Sequence, residues 1–462
     1  MKPVNLKLVN LNCTRSTPLL STTLEAMEYS AFLGHQPNIS VAELSAAIGD
    51  FSLNQIIDDR IAIFETSQDL DQDFLDTLGG TVIIAQRITD ADVALDDIPK
   101  IIYNEVQSKR GKVTFSLRAI NVPKPMVRSL YRRCKIKFKE SGRGCRYVGN
   151  EKKPAATVVL HENDLIDGKD GCELTIIAIQ EENDRTLWVG RTIAAQDIDW
   201  YSYRDMEKPV RDTTIGLLPP KLAQIMLNFG NWLIQETSDQ PSTLRLRLEE
   251  RPVTSDPQKK KKDSKDSSLT ILDPFCGTGV IPMEALLREW NVIASDLSIK
   301  AVNGCKKNIE WIRKEEKILK KDASSEVLKH DATKDFDFKE LPDVVVTETS
   351  LGPPMSSRPT LKEASKLKTQ NEKLQAAFLE NASKTLPGVP IVCAWPVWRQ
   401  KGGWIHLDKI WKVIEKLGYK TVLPPEVKSE LPNRFSIFYR RKDQFVGREI
   451  VMLVPPKTDS AA

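Results

Sequence analysis

Residues 271–279 read Ile-Leu-Asp-Pro-Phe-Cys-Gly-Thr-Gly, and no other stretch of the chain limits the fold as much. An apolar strand ends in an acid, a Gly-x-Gly turn follows, and residues 280–288 continue with helical character. Glycines in such a turn let the backbone approach a ligand closely at the carboxyl end of a strand, the edge where open α/β sheets bind. The pattern is not a P-loop, because no Gly-Lys-Ser/Thr follows. Nor is it the dinucleotide fingerprint, since the third glycine is missing and Asp-Pro-Phe precedes the turn. Residues 269–272, 291–294, 343–347 and 389–394 are spaced as parallel strands separated by helices, which predicts a doubly wound α/β, Rossmann-like sheet. Residues 435–439 and 449–454 predict an antiparallel hairpin at its edge.

Two further acids follow in order. Asp296 ends the next strand, seventeen residues past Gly279, where a carboxylate can bind two ribose hydroxyls. Asp331 sits where a third strand should end. Any one of these acids could be a helix N-cap, but the ordered series Asp273, Asp296, Asp331 points to a nucleoside-bearing ligand. Metal chemistry is not expected: the four histidines are scattered and the seven cysteines form no C-x-x-C pair. Thiols in that pattern fit a reducing, cytoplasmic setting, and no apolar run reaches the ~18 residues of a membrane span.

Upstream, residues 29–33, 56–64 and 81–88 predict strands, with helices opening at Ser40-Val-Ala-Glu43 and over residues 69–78. That β-α-β-α-β order suits an α+β ferredoxin-like domain over residues 1–97. A second unit, 98–200, holds strands expected at 156–160, 173–180 and 186–193. A helix about residues 222–228 and a charged linker at 252–268 make up the connection 201–268, ahead of the α/β domain at 269–462. The net charge of +4 conceals an asymmetry. Residues 1–99 carry 5 Lys/Arg against 15 Asp/Glu, whereas residues 100–153 carry 16 against 3. The natural partner of such a basic block is a polyanion. Its densest part holds Arg132, Arg133, Lys135, Lys137, Lys139, Arg143 and Arg146, followed by Lys152 and Lys153. The alternation over residues 135–139 predicts a strand with three lysines on one face.

Asp273-Pro-Phe-Cys-Gly-Thr-Gly279 with Asp296 resembles the cofactor site of class I S-adenosylmethionine-dependent methyltransferases. In particular it is similar to RNA methyltransferases that carry an N-terminal THUMP domain. Tyr29-Ser-Ala-Phe-Leu-Gly34, Leu78-Gly-Gly-Thr-Val82, Gly190-Arg-Thr-Ile193, Pro209-Val-Arg-Asp212, Leu218-Pro-Pro-Lys-Leu222 and Gln444-Phe-Val-Gly-Arg-Glu449 extend the resemblance outside the catalytic domain. It is nearest the tRNA guanosine N2-methyltransferase branch, of the position-10 type. The resemblance implies that Asp273, Pro274, Phe275, Gly277 and Gly279 hold the methionine part of S-adenosylmethionine, Asp296 its ribose and Asp331 its adenine. It also implies a THUMP-like unit at residues 98–200 that grips tRNA through the basic block. A partner subunit and the oligomeric state are not readable from it.

Members of that family place Asp/Asn-Pro-Pro-aromatic after the fourth strand, and here the chain departs from them. It reads Val346-Thr-Glu348-Thr-Ser-Leu-Gly352-Pro353-Pro354. Glu348 takes the place of the amine acceptor, the proline pair arrives late, and no aromatic residue follows. The resulting expectation is a rearranged active loop built on Glu348, Gly352 and Pro353, with core packing the favoured role for Trp395 and Trp398. The rival readings are a tRNA-binding protein without transfer chemistry and a methyltransferase acting on ribosomal RNA.

Overall fold

The computed structural model describes residues 26–89, 93–108, 111–166, 171–180, 185–212, 217–237, 269–432 and 434–456. The charged segment 252–268 lies outside them. The chain opens β1 (Met27–Leu33), α1 (Pro37–Ala47), β2 (Ser52–Ile57), β3 (Ile61–Thr66), α2 (Gln72–Asp76) and β4 (Thr81–Arg87). Next come α3 (Ile98–Glu105), β5 (Val113–Ile120), α4 (Lys124–Glu140), β6 (Cys145–Tyr147), α5 (Thr157–Glu162), β7 (Gly171–Gln180) and β8 (Arg185–Ala195). Among the described residues these strands form one eight-stranded sheet in the order β2-β3-β1-β4-β8-β7-β5-β6. Antiparallel pairing of β4 with β8, Ile83 opposite Ala195, carries it from the first unit into the second.

Several local expectations change. The single strand expected at 56–64 is a hairpin, because Asp58 and Asp59 take φ values of +50° and +53° and turn the chain between β2 and β3. Aspartate tolerates that region through local hydrogen bonding. Helix α1 begins at Pro37, whose ring presets the first turn, so Ser40 and Glu43 are interior residues rather than a capping box. The strand expected at 156–160 is α5, with Thr157 and Leu160 buried three residues apart. The lysine-rich strand expected at 135–139 belongs to α4, which buries Val127, Leu130, Cys134 and Phe138. Five alternating residues fit both periods, whereas the spacing from 127 to 138 fits only a helix.

Helices α6 (Ile198–Met206) and α7 (Pro220–Thr237) lead to the second sheet. It is built from β9 (Thr270–Asp273), α8 (Val280–Leu286), β10 (Asn291–Asp296), α9 (Ile299–Glu315), β11 (Ser325–Lys329), β12 (Val344–Glu348), α10 (Leu361–Thr385), β13 (Ile391–Gln400), β14 (Gly403–Ile405), α11 (Ile410–Lys416), β15 (Lys420–Val422), β16 (Ser436–Tyr439) and β17 (Val446–Val454). The order is β11-β10-β9-β12-β13-β17-β15, with β14 on β13 and β16 on β17. Strands β9 to β13 run parallel, as the spacing predicts. The expected hairpin is present, but β17 is not an edge: it runs antiparallel between β13 and β15. Among the described residues, no helix is long and apolar enough to cross a membrane.

A shared core joins the two halves. Ile39, Ala42 and Ala46 of α1 pack with Leu222, Ile225 and Phe229 of α7 and with Ile271, Val344 and Val346 of the second sheet. Gly79 lies so close to α7 that a Cβ there would meet the Lys221 carbonyl oxygen at 1.8 Å, so only glycine permits the docking. At the centre of this joint Glu43 accepts hydrogen bonds from the amides of Gly79 (2.8 Å) and Gly80 (2.7 Å) and from Asn228 Nδ2 (2.7 Å). Arg288 of the segment after α8 donates to Asn228 Oδ1 (2.6 Å) and to the Thr77 carbonyl (2.7 Å). Burial pushes the Glu43 carboxyl up to about 7, against the pull of its three hydrogen bonds and of Arg288.

Glu43→Ala strands two buried amides and removes one of the two carboxylates that face Arg288, leaving Glu284. Removing one member of such a buried charged group costs about 3–5 kcal/mol. The expected outcome is an unfolding free energy lower by that amount, read from urea melts of the full chain followed by circular dichroism.

Candidate cofactor and active site

The strand order reverses between β9 and β12, and the crevice outside the carboxyl ends of strands at such a reversal is where open α/β sheets take ligands. Four acids stand there on four adjacent strands. Asp273 ends β9, Asp296 ends β10, Asp331 lies two residues past β11, and Glu348 ends β12. The structure thus brings the sequence-predicted acids to one rim.

Each carboxylate is held differently. Asp273 is buried, and its Oδ1 accepts from Thr347 Oγ1 (2.7 Å) and from the Phe275 amide (3.3 Å). Burial pushes its carboxyl up to about 7; the two hydrogen bonds oppose this, and the Asp296 and Glu348 charges add to it. Asp296 secures the glycine turn, Oδ2 accepting from the Gly277 amide (3.0 Å) and Oδ1 from the Ser298 amide (2.8 Å). A carboxylate has about four lone-pair positions, so both oxygens keep acceptor capacity for a diol. Asp331 Oδ1 accepts from the Thr333 amide (2.9 Å) and hydroxyl (2.8 Å), which hold its carboxyl below the usual range.

The turn itself needs its glycines. Gly277 and Gly279 take φ values of +51° and +88°, and a Cβ on Gly279 would meet Cys305 Sγ at 2.7 Å. Pro274 and the half-buried Phe275 begin the turn, with the Phe275 ring edge-on to Phe378 at 5.3 Å. The residues present would suit a cationic nucleoside cofactor: Gly277 and Gly279 put no side chain into the turn, and the Asp296 and Asp331 carboxylates keep acceptor capacity beyond the donors they already meet.

Sequence reading misses what Glu348 meets. Its Oε1 accepts from Arg448 Nε of β17, a residue 100 positions away and 3% exposed. Arg448 also donates to the Leu217 carbonyl (3.4 Å) and lies over the Tyr439 ring. The guanidinium therefore fixes the Glu348 side chain by one oxygen and leaves Oε2 without a partner among the described residues. Beyond Glu348 the loop buries Leu351, turns at Gly352 (φ +83°) and exposes Pro353. Trp395 and Trp398 are fully buried in the core beneath, so neither reaches a substrate base.

The basic residues lie elsewhere, on α4 and the turn after it. Arg132, Lys135 and Lys139 are exposed at helical spacing. Arg133 pairs with Asp96 (2.6 Å), Lys137 lies over the Tyr103 ring, and Arg143 donates to the Val106 carbonyl (2.7 Å). Arg146 on β6 is exposed. Lys135 also lies over the Tyr131 ring, so the exposed cations without a charged partner among the described residues are a subset of the block that the sequence marks.

A carboxyl raised from 3.8 to about 7 keeps its proton in the folded state after the unfolded chain has lost it. Stability then falls as pH rises from about 4 to about 7. Asp273→Asn keeps the Thr347 hydrogen bond and removes this term. Urea melts should show the variant losing roughly 2–4 kcal/mol less stability than the parent between pH 4.5 and pH 7.5.

Residues 263–379, which span β9 to α10, match the family model described as "Conserved hypothetical protein 95". A curated relative, the tRNA (guanine(10)-N2)-dimethyltransferase of Methanothermobacter thermautotrophicus, is 32% identical over 123 residues, which is 27% of this chain and 31% of that protein. The match covers under a third of that relative's length. Among solved structures, TrmN from Thermus thermophilus has a TM-score of 0.43 at 13% identity, over 93% of this chain and 100% of that one. A possible methylase from Clostridium difficile 630 has a TM-score of 0.41 at 11% identity, over 95% and 100%. The chain resembles, over that aligned portion, the RNA methyltransferases of the tRNA guanine-N2 branch.

Proposed function

We propose that this protein transfers a methyl group from S-adenosylmethionine to the exocyclic N2 amine of a guanine in tRNA, of the position-10 type. The observation that carries the reading is the rim of four acids at the strand reversal, with the glycine turn between the first two. In it Asp273, Pro274, Phe275, Gly277 and Gly279 cradle the methionine part, Asp296 takes the ribose hydroxyls and Asp331 the adenine amine. When bound, the cofactor supplies a methyl group on a sulfonium, already activated for displacement.

The protein's own share is positioning and charge. Glu348, anchored by Arg448, presents Oε2 as an acceptor for a hydrogen of the attacking amine, holding the nitrogen in line with the transferred carbon. The turn at Gly352 and Pro353 shapes the wall beside it. Residues 1–97 and 98–200 act as ferredoxin-like and THUMP-like units on one continuous sheet, 201–268 as the connection and 269–462 as the catalytic domain. Arg132, Lys135, Lys139 and Arg146, supported by Arg133, Lys137 and Arg143, hold tRNA phosphates, which fixes register without reading sequence. This reading places the protein in the cytoplasm, where thiols that form no C-x-x-C pair stay reduced.

The test is transfer of label from radiolabelled S-adenosylmethionine to unmodified tRNA. The expected product is label in a guanosine, lost at least 100-fold in Glu348→Ala. Binding of both cofactor and tRNA with no transfer to tRNA or ribosomal RNA overturns the enzyme reading in favour of a non-catalytic binder. Asp296→Ala removes two charge-assisted hydrogen bonds to the ribose and should weaken cofactor binding by about 10–100-fold by calorimetry, with tRNA affinity unchanged. Full cofactor affinity in that variant would remove the ribose assignment. Lys135→Glu with Lys139→Glu should weaken tRNA binding at 0.1 M salt and leave cofactor binding alone.

A further inference from the structure

A cavity of about 430 Å³ lies away from the acidic rim, where the first unit meets the catalytic domain. Five separate parts of the chain line it, and three of them bring its basic side chains. The β1–α1 loop supplies His35, the start of α7 supplies Lys221, and the turn after β16 supplies Arg441. None of these segments neighbours another in sequence, so the cavity exists only once the two halves are docked. The joint is held by the backbone contacts of Gly79 on Lys221 and by the Arg440 amide donating to Gln36 Oε1 (2.8 Å).

The cavity's charge is one-sided. Lys221 Nζ donates to Gln196 Oε1 and lies 4.7 Å above the Tyr201 ring, and among the described residues no carboxylate pairs with it. Two of its three N–H donors are left over. Arg441 is exposed, and Nε donates to the Tyr439 hydroxyl (3.1 Å), with no carboxylate partner among the described residues. His35 sits edge-on to Tyr439 at 6.0 Å, and burial, added to by the charges of Arg441 and Lys221, keeps its ring below the usual pKa. The one acid in the wall, Asp205, is taken up by Lys208 at 2.7 Å. A half-buried lysine that faces a cavity without a counter-charge is expensive unless something anionic arrives.

We propose that this cavity seats a backbone phosphate of the RNA substrate, with Lys221 and Arg441 as its charged ligands and His35 as a neutral donor. The proposal rests on the RNA-binding reading above but uses none of its residues. The site spans the joint, so a phosphate there sets the angle at which RNA leaves the first unit for the catalytic crevice, a task separate from the register and grip supplied by α4.

The test uses the full chain, an unmodified tRNA transcript and fluorescence anisotropy over 50–300 mM KCl. Each lost phosphate contact should lower the slope of log Kd against log salt by just under one. Lys221→Gln and Arg441→Gln should each raise Kd about 5–10-fold at 0.1 M salt and lower the slope accordingly, with cofactor affinity unchanged. Arg441 is exposed and outside the core, so its variant keeps the test valid if Lys221→Gln misfolds. Unchanged Kd and slope in Arg441→Gln overturn the proposal, and methyl transfer persisting at the parental rate would leave the functional reading standing. The converse result, the expected loss of slope in a protein that transfers no methyl group, would uphold the seat and remove the enzyme reading. A third arm titrates inorganic phosphate and adenosine monophosphate against thermal stability. A stabilisation lost in Arg441→Gln without any change in the RNA slope would assign the cavity to a free anion and overturn the RNA assignment.

Discussion

The Glu43 carboxylate and its donors tie the two halves of this protein into one object. A carboxylate accepting from two successive backbone amides and an asparagine is a demanding arrangement, because in low dielectric every donor must be placed before the charge is tolerable. Those donors come from the turn before β4 and from α7, and the arginine that completes the set follows α8. Displacing any one element strands the others. The docking of α1 on α7 is therefore set by polar geometry as much as by the apolar cluster of Ile39, Ala42, Leu222 and Phe229 around it.

Helix α7 passes that constraint on. It packs with Val344 and Val346 of β12, and β12 ends in Glu348 at the crevice. The rim itself is a problem of like charges: four acids on four neighbouring strands repel one another. The structure relieves this in different ways. Asp273 is buried and hydrogen-bonded to Thr347, Asp296 and Asp331 take backbone amides, and Glu348 takes the Arg448 guanidinium. The outcome is a crevice with acceptors of graded availability, from a buried carboxyl raised to about 7 to a half-buried one held below its usual range.

How much of this is legible beforehand depends on the range of the interaction. Strands β9, β10, β12 and β13 follow from runs of Val, Ile and Leu bounded by turns, and the Asp-Pro-Phe-Cys-Gly-Thr-Gly turn is a local pattern whose φ values only glycine accepts readily. Helix α4 misreads as a strand because residues 135–139 alternate, and only the longer spacing of Val127, Leu130, Cys134 and Phe138 shows the helix. The hairpin at Asp58 and Asp59 and the helix at Thr157 fail for a related reason. A few residues satisfy two periods, and contacts with distant strands choose between them.

The amino-acid sequence by itself determined the parallel α/β core, the order of acids along it, the glycine turn and the presence of a basic surface, because each is written in local pattern or composition. Only the tertiary structure decided that Glu348 is met by Arg448 and that Glu43 caps a turn instead of its own helix. The same holds for Trp395 and Trp398, which fill core, and for His35, Lys221 and Arg441, which share one cavity. Those are contacts between segments tens to hundreds of residues apart, and a charged side chain carries no local sign of which partner the closed chain will bring within reach.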